Sequence, residues 1–279
     1  MRAEWYKVVV IQSAINRVNA MPYQLNYSVE TPPDDAIAWR FMSLGKFVSV
    51  VTTSTLWLCS VEALQKNDPF EGSLSNANFD YLRSLGADDS KLRTALGIDE
   101  NRPIEPYARR SVTPEVQEER CINNARSVYA NCWHLNEHES AVLWSVYAGS
   151  GEGVCVKSSI GRIKSSLSDV TEQVYIGKVR YLNYDTELVD MGHIYNLVLS
   201  KRMSYKAEDE LRIFVYLPPF AYGRQCGISV ACDTSALIDE VLVSPTSEKW
   251  YEDAVRSLVN KLGLKCRVNK SPLTSRNIV

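Results

Sequence analysis

Apolar positions along this chain fall into short runs of two different periods, and the runs follow one another in no fixed rhythm. Trp5 to Gln12, AIAWRFM (36–42), TLWLCS (55–60), VYANCWHL (128–135), GEGVCVKSS (151–159), QVYIGKVRYLNY (173–184) and ELRIFVYL (210–217) read as strands. So do the shorter GISVACD, DEVLVSP and CRVNKS. A glycine near the middle of 173–184 predicts a bulge there. Helical spacing appears in SLGKFVSVV, with Leu44, Phe47, Val48 and Val51 on one side and Ser43 as cap. It recurs in Pro114–Ser127, with proline in its first turn, in 160–167, across much of 186–205, and in an amphipathic helix capped by Ser247 and stopped by Gly263. After Asn136 a further helix is expected, with Glu139 completing a capping box and Val142, Leu143, Val146 and Tyr147 apolar. Residues 75–130 are polar and helical, divided by Pro103, Pro106 and Pro114. The βαβ rhythm of a doubly wound sheet is missing. The pattern predicts an α+β fold, a mixed, mostly antiparallel sheet core flanked by helices. One domain is expected over 1–279, with a helical insertion at 73–127.

Composition narrows the function classes only a little. Of 279 residues 45% are hydrophobic and 23% charged, and the net charge is −2, so no bulk attraction to nucleic acid or acidic membrane is expected. No run is long enough to span a membrane, and the apolar N-terminal stretch lacks a small-residue cleavage site, which predicts a cytoplasmic chain. The seven cysteines form no CxxC pair, and several sit in apolar runs. They read as reduced, buried thiols.

Chemistry concentrates in KRMSYKAEDELRIF, residues 201–214. Read as a strand from Glu208 onward, it places Glu208, Glu210 and Arg212 on one face and Asp209, Leu211 and Ile213 on the other, a charged cluster at about 7 Å spacing. Such a cluster is either a solvated face or a site. HLNEH (134–138) matches the H-x-x-E-H pattern of inverted zinc peptidases, but His134 ends a strand and Asn136 caps the next helix, so no metal is expected. In NDPFEGS (67–73), Asp68 and Glu71 shape a turn that pins Phe70 in the core. The pairs Arg109-Arg110 and Lys201-Arg202 read as solvated surface.

Taken in order, WRFMSLGKFVSVVTTSTLWLCS, NDPFEGS, CWHLNEHESAVLWSVYAGSGEGVCVKS and KRMSYKAEDELRIF resemble the bacterial and phage-associated domain of unknown function 2971 family, from about Trp39 to Ser271. More distantly, the order of an Arg-bearing strand, a Trp/Tyr-bearing helix and a last strand with Glu-x-Glu is similar to the ADP-ribosyltransferase superfamily. That resemblance implies catalytic roles for Glu210 and Glu208 and nicotinamide adenine dinucleotide (NAD) as substrate. It implies a phosphate clamp at Arg40, which Arg212 could assist, and stacking of nicotinamide on Tyr147 or Trp144. The middle Ser-Thr-Ser motif has no clear counterpart; Ser145 and Thr52-Thr53-Ser54 are its nearest candidates. The expected ligand is a nucleotide, the acceptor a protein or nucleic acid, and the context a bacterial toxin or antiviral effector. A non-catalytic module that binds a nucleotide or a partner is the alternative, and a zinc-dependent hydrolase built on HLNEH a minor one. The sequence leaves the oligomeric state open.

Overall fold

The computed structural model describes residues 29–147, 151–218, 223 and 225–274; the strand expected from Trp5 to Gln12 lies outside them. β1 (Ile37–Ser43) runs into α1 (Leu44–Thr53), and the Ser43 hydroxyl accepts from the Lys46 N–H, as the sequence predicts. β2 (Thr55–Ser60) leads through α2 (Val61–Leu64) to the turn at 67–73 and then to four helices, α3 (Asn76–Ala87), α4 (Asp89–Leu96), α5 (Pro106–Ser111) and α6 (Pro114–Ser127). The chain continues through β3 (Val128–Leu135), α7 (Ala141–Tyr147), β4 (Gly153–Ser159), α8 (Ile160–Ser166), β5 (Val174–Lys178), β6 (Arg180–Leu182), α9 (Ile194–Val198) and β7 (Ser200–Arg202). It ends in β8 (Glu210–Tyr216), β9 (Gly227–Ala231), α10 (Thr234–Leu237), β10 (Glu240–Val243), α11 (Lys249–Lys261) and β11 (Arg267–Lys270).

Nine of these strands form one mostly antiparallel sheet in the order β11-β10-β4-β1-β3-β2-β9, with β8 on the other edge of β3 and β5 beyond it. The fold is α+β, as its irregular periodicity predicts. Alternation along the strands makes two apolar faces. On one, Leu58, Tyr129, Trp133, Leu211 and Ile213 pack with Phe47 of α1, Ile163 of α8 and Val255 of α11. On the other, Val128, Ala130 and Phe214 pack with Tyr175, Tyr195 and Val198, while Trp39 and Phe41 pack with Leu143 and Trp144 of α7.

Two features of this sheet position the candidate site. First, one edge of β3 is shared. β2 pairs with it at Tyr129 and Ala130, and β1 pairs with it at His134 and Leu135. Between those pairings the sheet splits at Asn131–Trp133. Second, the expected long strand at 173–184 breaks. The Val179 N–H still bonds the Glu210 carbonyl, but the Arg180 N–H bonds Leu199, so the chain passes from β8 to a separate parallel pair, β6 with β7. Gly177 stays in regular pairing opposite Arg212, without the expected bulge. Its missing Cβ admits Val29 and Leu199, whose side-chain carbons would lie 2.7 and 2.8 Å from one.

Two expected caps differ. α7 begins at Ala141, and Ser140 caps it through its hydroxyl to the Leu143 N–H. Glu139 is drawn away because its carboxylate accepts from Trp144 Nε1 at 2.6 Å and from the Ser271 hydroxyl at 2.7 Å. Ser247 bonds the Ser244 carbonyl, so Glu248 occupies the N-cap of α11 without a side-chain bond. Gly72, in the 67–73 turn, takes φ +68°, and a Cβ there would meet Val61 Cγ1 at 2.6 Å. Gly72→Ala should therefore cost about 2–4 kcal/mol from left-handed strain plus overpacking, read as a lowered urea midpoint at unchanged slope.

Candidate functional site

The break after β5 brings β6 and β7 against the start of β8, and a buried ionic network forms there. Arg212, fully buried, donates from Nε and Nη2 to Glu210 at 3.1 and 2.9 Å, and from Nη1 to Glu71 at 2.5 Å and to the Val198 carbonyl at 2.6 Å. Lys201 reaches Glu208 at 2.5 Å, Glu210 at 3.2 Å and Glu71 at 3.8 Å. The Glu210 N–H donates to the Tyr181 hydroxyl at 2.8 Å, and His134 Nδ1 bonds the Glu208 carbonyl at 2.7 Å. Beside the network, Arg202 pairs with Asp68 at 2.6 Å and lies over the Phe70 ring. Lys201-Arg202 is therefore not the solvated pair that its sequence suggests. The 67–73 turn contributes Glu71 to the network as well as pinning Phe70.

Glu208 does not share a strand face with Glu210 and Arg212. β8 starts at Glu210; Glu208 closes a 3-10 turn (Met203–Glu208), and Asp209 turns the chain with φ 40°. The two carboxylates still meet, through Lys201 instead of strand alternation. They differ in access. The Glu208 side chain is 35% exposed and that of Glu210 5%.

Burial alone would raise the Glu210 carboxyl, but Arg212 and then Lys201 outweigh it and hold it down at about 2. Burial likewise works against the Arg212 cation, and Glu210 and Glu71 overcome it, raising the guanidinium well above its usual range. The Cys132 thiol, against Glu210, is pushed far up by burial first and by that carboxylate second, so it is no thiolate nucleophile at neutral pH. A carboxyl held low stabilises the fold fully above its ordinary value of 4.5 and loses that contribution as pH falls toward about 2. Urea midpoints taken from about pH 7 to about pH 2 should thus decline chiefly below 4.5. A midpoint flat across that span would show that folding leaves the Glu210 carboxyl at its ordinary value, and one that rose as pH fell would show that it is neutral in the folded state.

Arg40 leaves β1 on the opposite face from Glu210, because Trp39 faces His134, which in turn faces Glu210. Its guanidinium occupies the split in the sheet. Nη1 bonds the Asn131 side-chain oxygen and, at 3.2 Å, the Cys132 carbonyl. Asn131 in turn donates to the Trp57 carbonyl at 2.7 Å, so Arg40 and Asn131 stitch β1 to β2 across β3. Burial lowers the Arg40 guanidinium from its usual value, and no carboxylate among the described residues pairs with it. Tyr147, 50% exposed at the end of α7, relates the two regions. Its phenol is raised by burial and then by Cys132, Glu208 and Glu210, and it also acts on Arg40.

The other expected residues have packing tasks. Trp144 is 3% exposed, edge-on to Phe41 at 5.1 Å with its N–H on Glu139, and presents no open ring face. Every Arg212 nitrogen already meets a protein acceptor, which leaves no open fork for a phosphate. His134 ends β3 and His138 lies in a bend, its N–H on Asn136, so the two do not share one helix turn as the zinc motif requires. Among the described residues no helix is long and apolar enough to cross a membrane.

No family model matches the chain, and no curated protein does. The likeness to the domain of unknown function 2971 family rests on the four sequence segments. Among solved structures, the chain is similar to DarT of Thermus sp. 2.9 in complex with NAD+, at 11% identity and TM-score 0.36, covering 86% of this chain and 98% of that one. It is similar to the same protein in complex with ADP-ribosylated single-stranded DNA, at 10% identity and TM-score 0.38, covering 87% and 97%. At this level of similarity nothing about the substrate of this chain follows.

Proposed function

We propose that this chain is an ADP-ribosyltransferase-like enzyme that acts on NAD or a related nucleotide. The observation that carries this reading is the pair of acids at the start of β8. Glu210 is held ionised by two cations, and Glu208 is half-open to solvent beside it. Cleaving the nicotinamide–ribose bond sends its electron pair to the departing nicotinamide and leaves positive charge on the ribose. A fixed anion with little freedom to reorganise stabilises that charge, as carboxylates do in glycoside hydrolysis. Glu210 supplies the fixed field. Glu208 is the member that reaches the ligand and takes the proton of the attacking acceptor. Tyr147 offers an exposed ring for nicotinamide. Arg40 leaves β1 on the face opposite Glu210, so a phosphate would meet its guanidinium only through the split in the sheet, where no carboxylate among the described residues neutralises it. The acceptor is a protein or nucleic acid, and in a bacterium such an activity serves as a toxin or antiviral effector.

One observation favours a second reading, a non-catalytic nucleotide-binding module: both Glu210 oxygens are already ion-paired. Incubation of the protein with adenylate-labelled NAD and a cell lysate separates the two. Free nicotinamide together with label on protein or nucleic acid is the expected result. Saturable binding without nicotinamide release supports the module, and neither binding nor release ends both readings.

A further inference from the structure

We propose that Lys201 is the positioning residue of this site, the one cation among the described residues that bonds both Glu208 and Glu210, so that it holds the two acids together and sets where Glu208 points. The inference rests on the reading above and gives one of its two cations a second task, toward Glu208. Two carboxylates this close repel each other, and the lower the local dielectric the more they do. Arg212 offsets the Glu210 charge, but its nitrogens face Glu210, Glu71 and the Val198 carbonyl and none faces Glu208, so it cannot fix one acid against the other. Lys201 is the group that touches both acids, at 2.5 and 3.2 Å, with Glu71 at 3.8 Å. It is 8% exposed, and the Tyr205 ring lies 4.8 Å from its ammonium. Other groups bearing on it are Arg212, Tyr181 and Tyr147.

Its place follows from the fold. β7 delivers Lys201 opposite Tyr181 of β6, and the Tyr181 hydroxyl receives the Glu210 N–H. The Asp209 turn then folds Glu208 back toward the same ammonium. Glu208 has no other side-chain partner among the described residues, so its direction depends on this one contact.

The test follows the Glu210 carboxyl by carbon NMR in protein labelled at glutamate, alongside nicotinamide release as a function of pH. In the native chain Glu210 should titrate well below the ordinary carboxylate range, at about 2. In Lys201→Met its titration should move up by about 1 pH unit or more, the acid limb of any nicotinamide release should shift the same way, and Lys201→Arg should restore both. A folded Lys201→Met protein with an unmoved Glu210 titration overturns the proposal. If Lys201→Met does not fold, the double variant Lys201→Met/Glu208→Gln decides, since removing one repelling charge should restore folding. A double variant no better folded than the single one overturns the proposal. The NMR arm reads out without turnover. A chain that releases no nicotinamide would therefore refute the transferase reading and leave the role of Lys201 to be judged separately.

Discussion

Arg212→Leu should unfold this protein or leave it barely folded, with a loss of about 3–5 kcal/mol out of a total of about 5–15 for a typical domain. Arg212 is fully buried on a central strand, and its guanidinium is bidentate to Glu210 while also bonding Glu71 and a carbonyl of α9. Leucine would strand two carboxylates that are 5% exposed or less. Lys201 would remain, but one ammonium 3.2 Å from Glu210 and 3.8 Å from Glu71 cannot replace four directed hydrogen bonds. The large effect would come from the uncompensated acids more than from the lost pairs. A cycle with Glu71→Gln checks this. The double variant should be more stable than the sum of the single losses predicts, with a coupling of about 1–3 kcal/mol. Additive losses in urea unfolding would mean that Arg212 and Glu71 stabilise the fold independently. Arg212→Lys should fall between, because an ammonium keeps the charge and loses the fork.

Elements with a strong local signal were legible in the chain. Pro114–Ser127 carries its proline at the first turn, VYANCWHL is a short, mostly apolar run, and Ser43 announces α1; each element forms where its pattern predicts. The network was not legible, because its partners are far apart in sequence. Arg212 meets Glu71 across 141 positions, and no periodicity encodes such a contact. Lys201-Arg202 looked like surface for the same reason. Only the passage of the chain from β5 to β6 brings β7 inside, and that break is set by Val179 and Arg180 choosing different hydrogen-bond partners. The split of β3, which Arg40 fills, is likewise a property of three strands at once. The acids at 208 and 210 were legible as a pair but for a different geometrical reason. Strand alternation was expected to align them, and a 3-10 turn closed by a left-handed Asp209 does so instead.

Glu208→Gln should reduce nicotinamide release by about 10²–10³-fold in a protein that remains folded. Glutamine keeps the shape of the side chain and an oxygen for Lys201, and the position is about a third exposed, so the unfolding free energy should change by no more than about 1 kcal/mol. What it loses is the negative charge beside the developing ribose cation and the ability to accept the acceptor's proton, both of which matter only in the transition state. Affinity for NAD should therefore change by less than about tenfold while kcat falls, the division expected when a transition-state contact is removed. This separates Glu208 from Glu210. A Glu210 variant disturbs Arg212 and Lys201 as well, and so mixes a folding defect with a catalytic one. Unchanged release by folded Glu208→Gln would show that the open carboxylate takes no part in chemistry. The ionic network would then serve to lock β7, β8 and the 67–73 turn together, and the binding-module reading would take precedence.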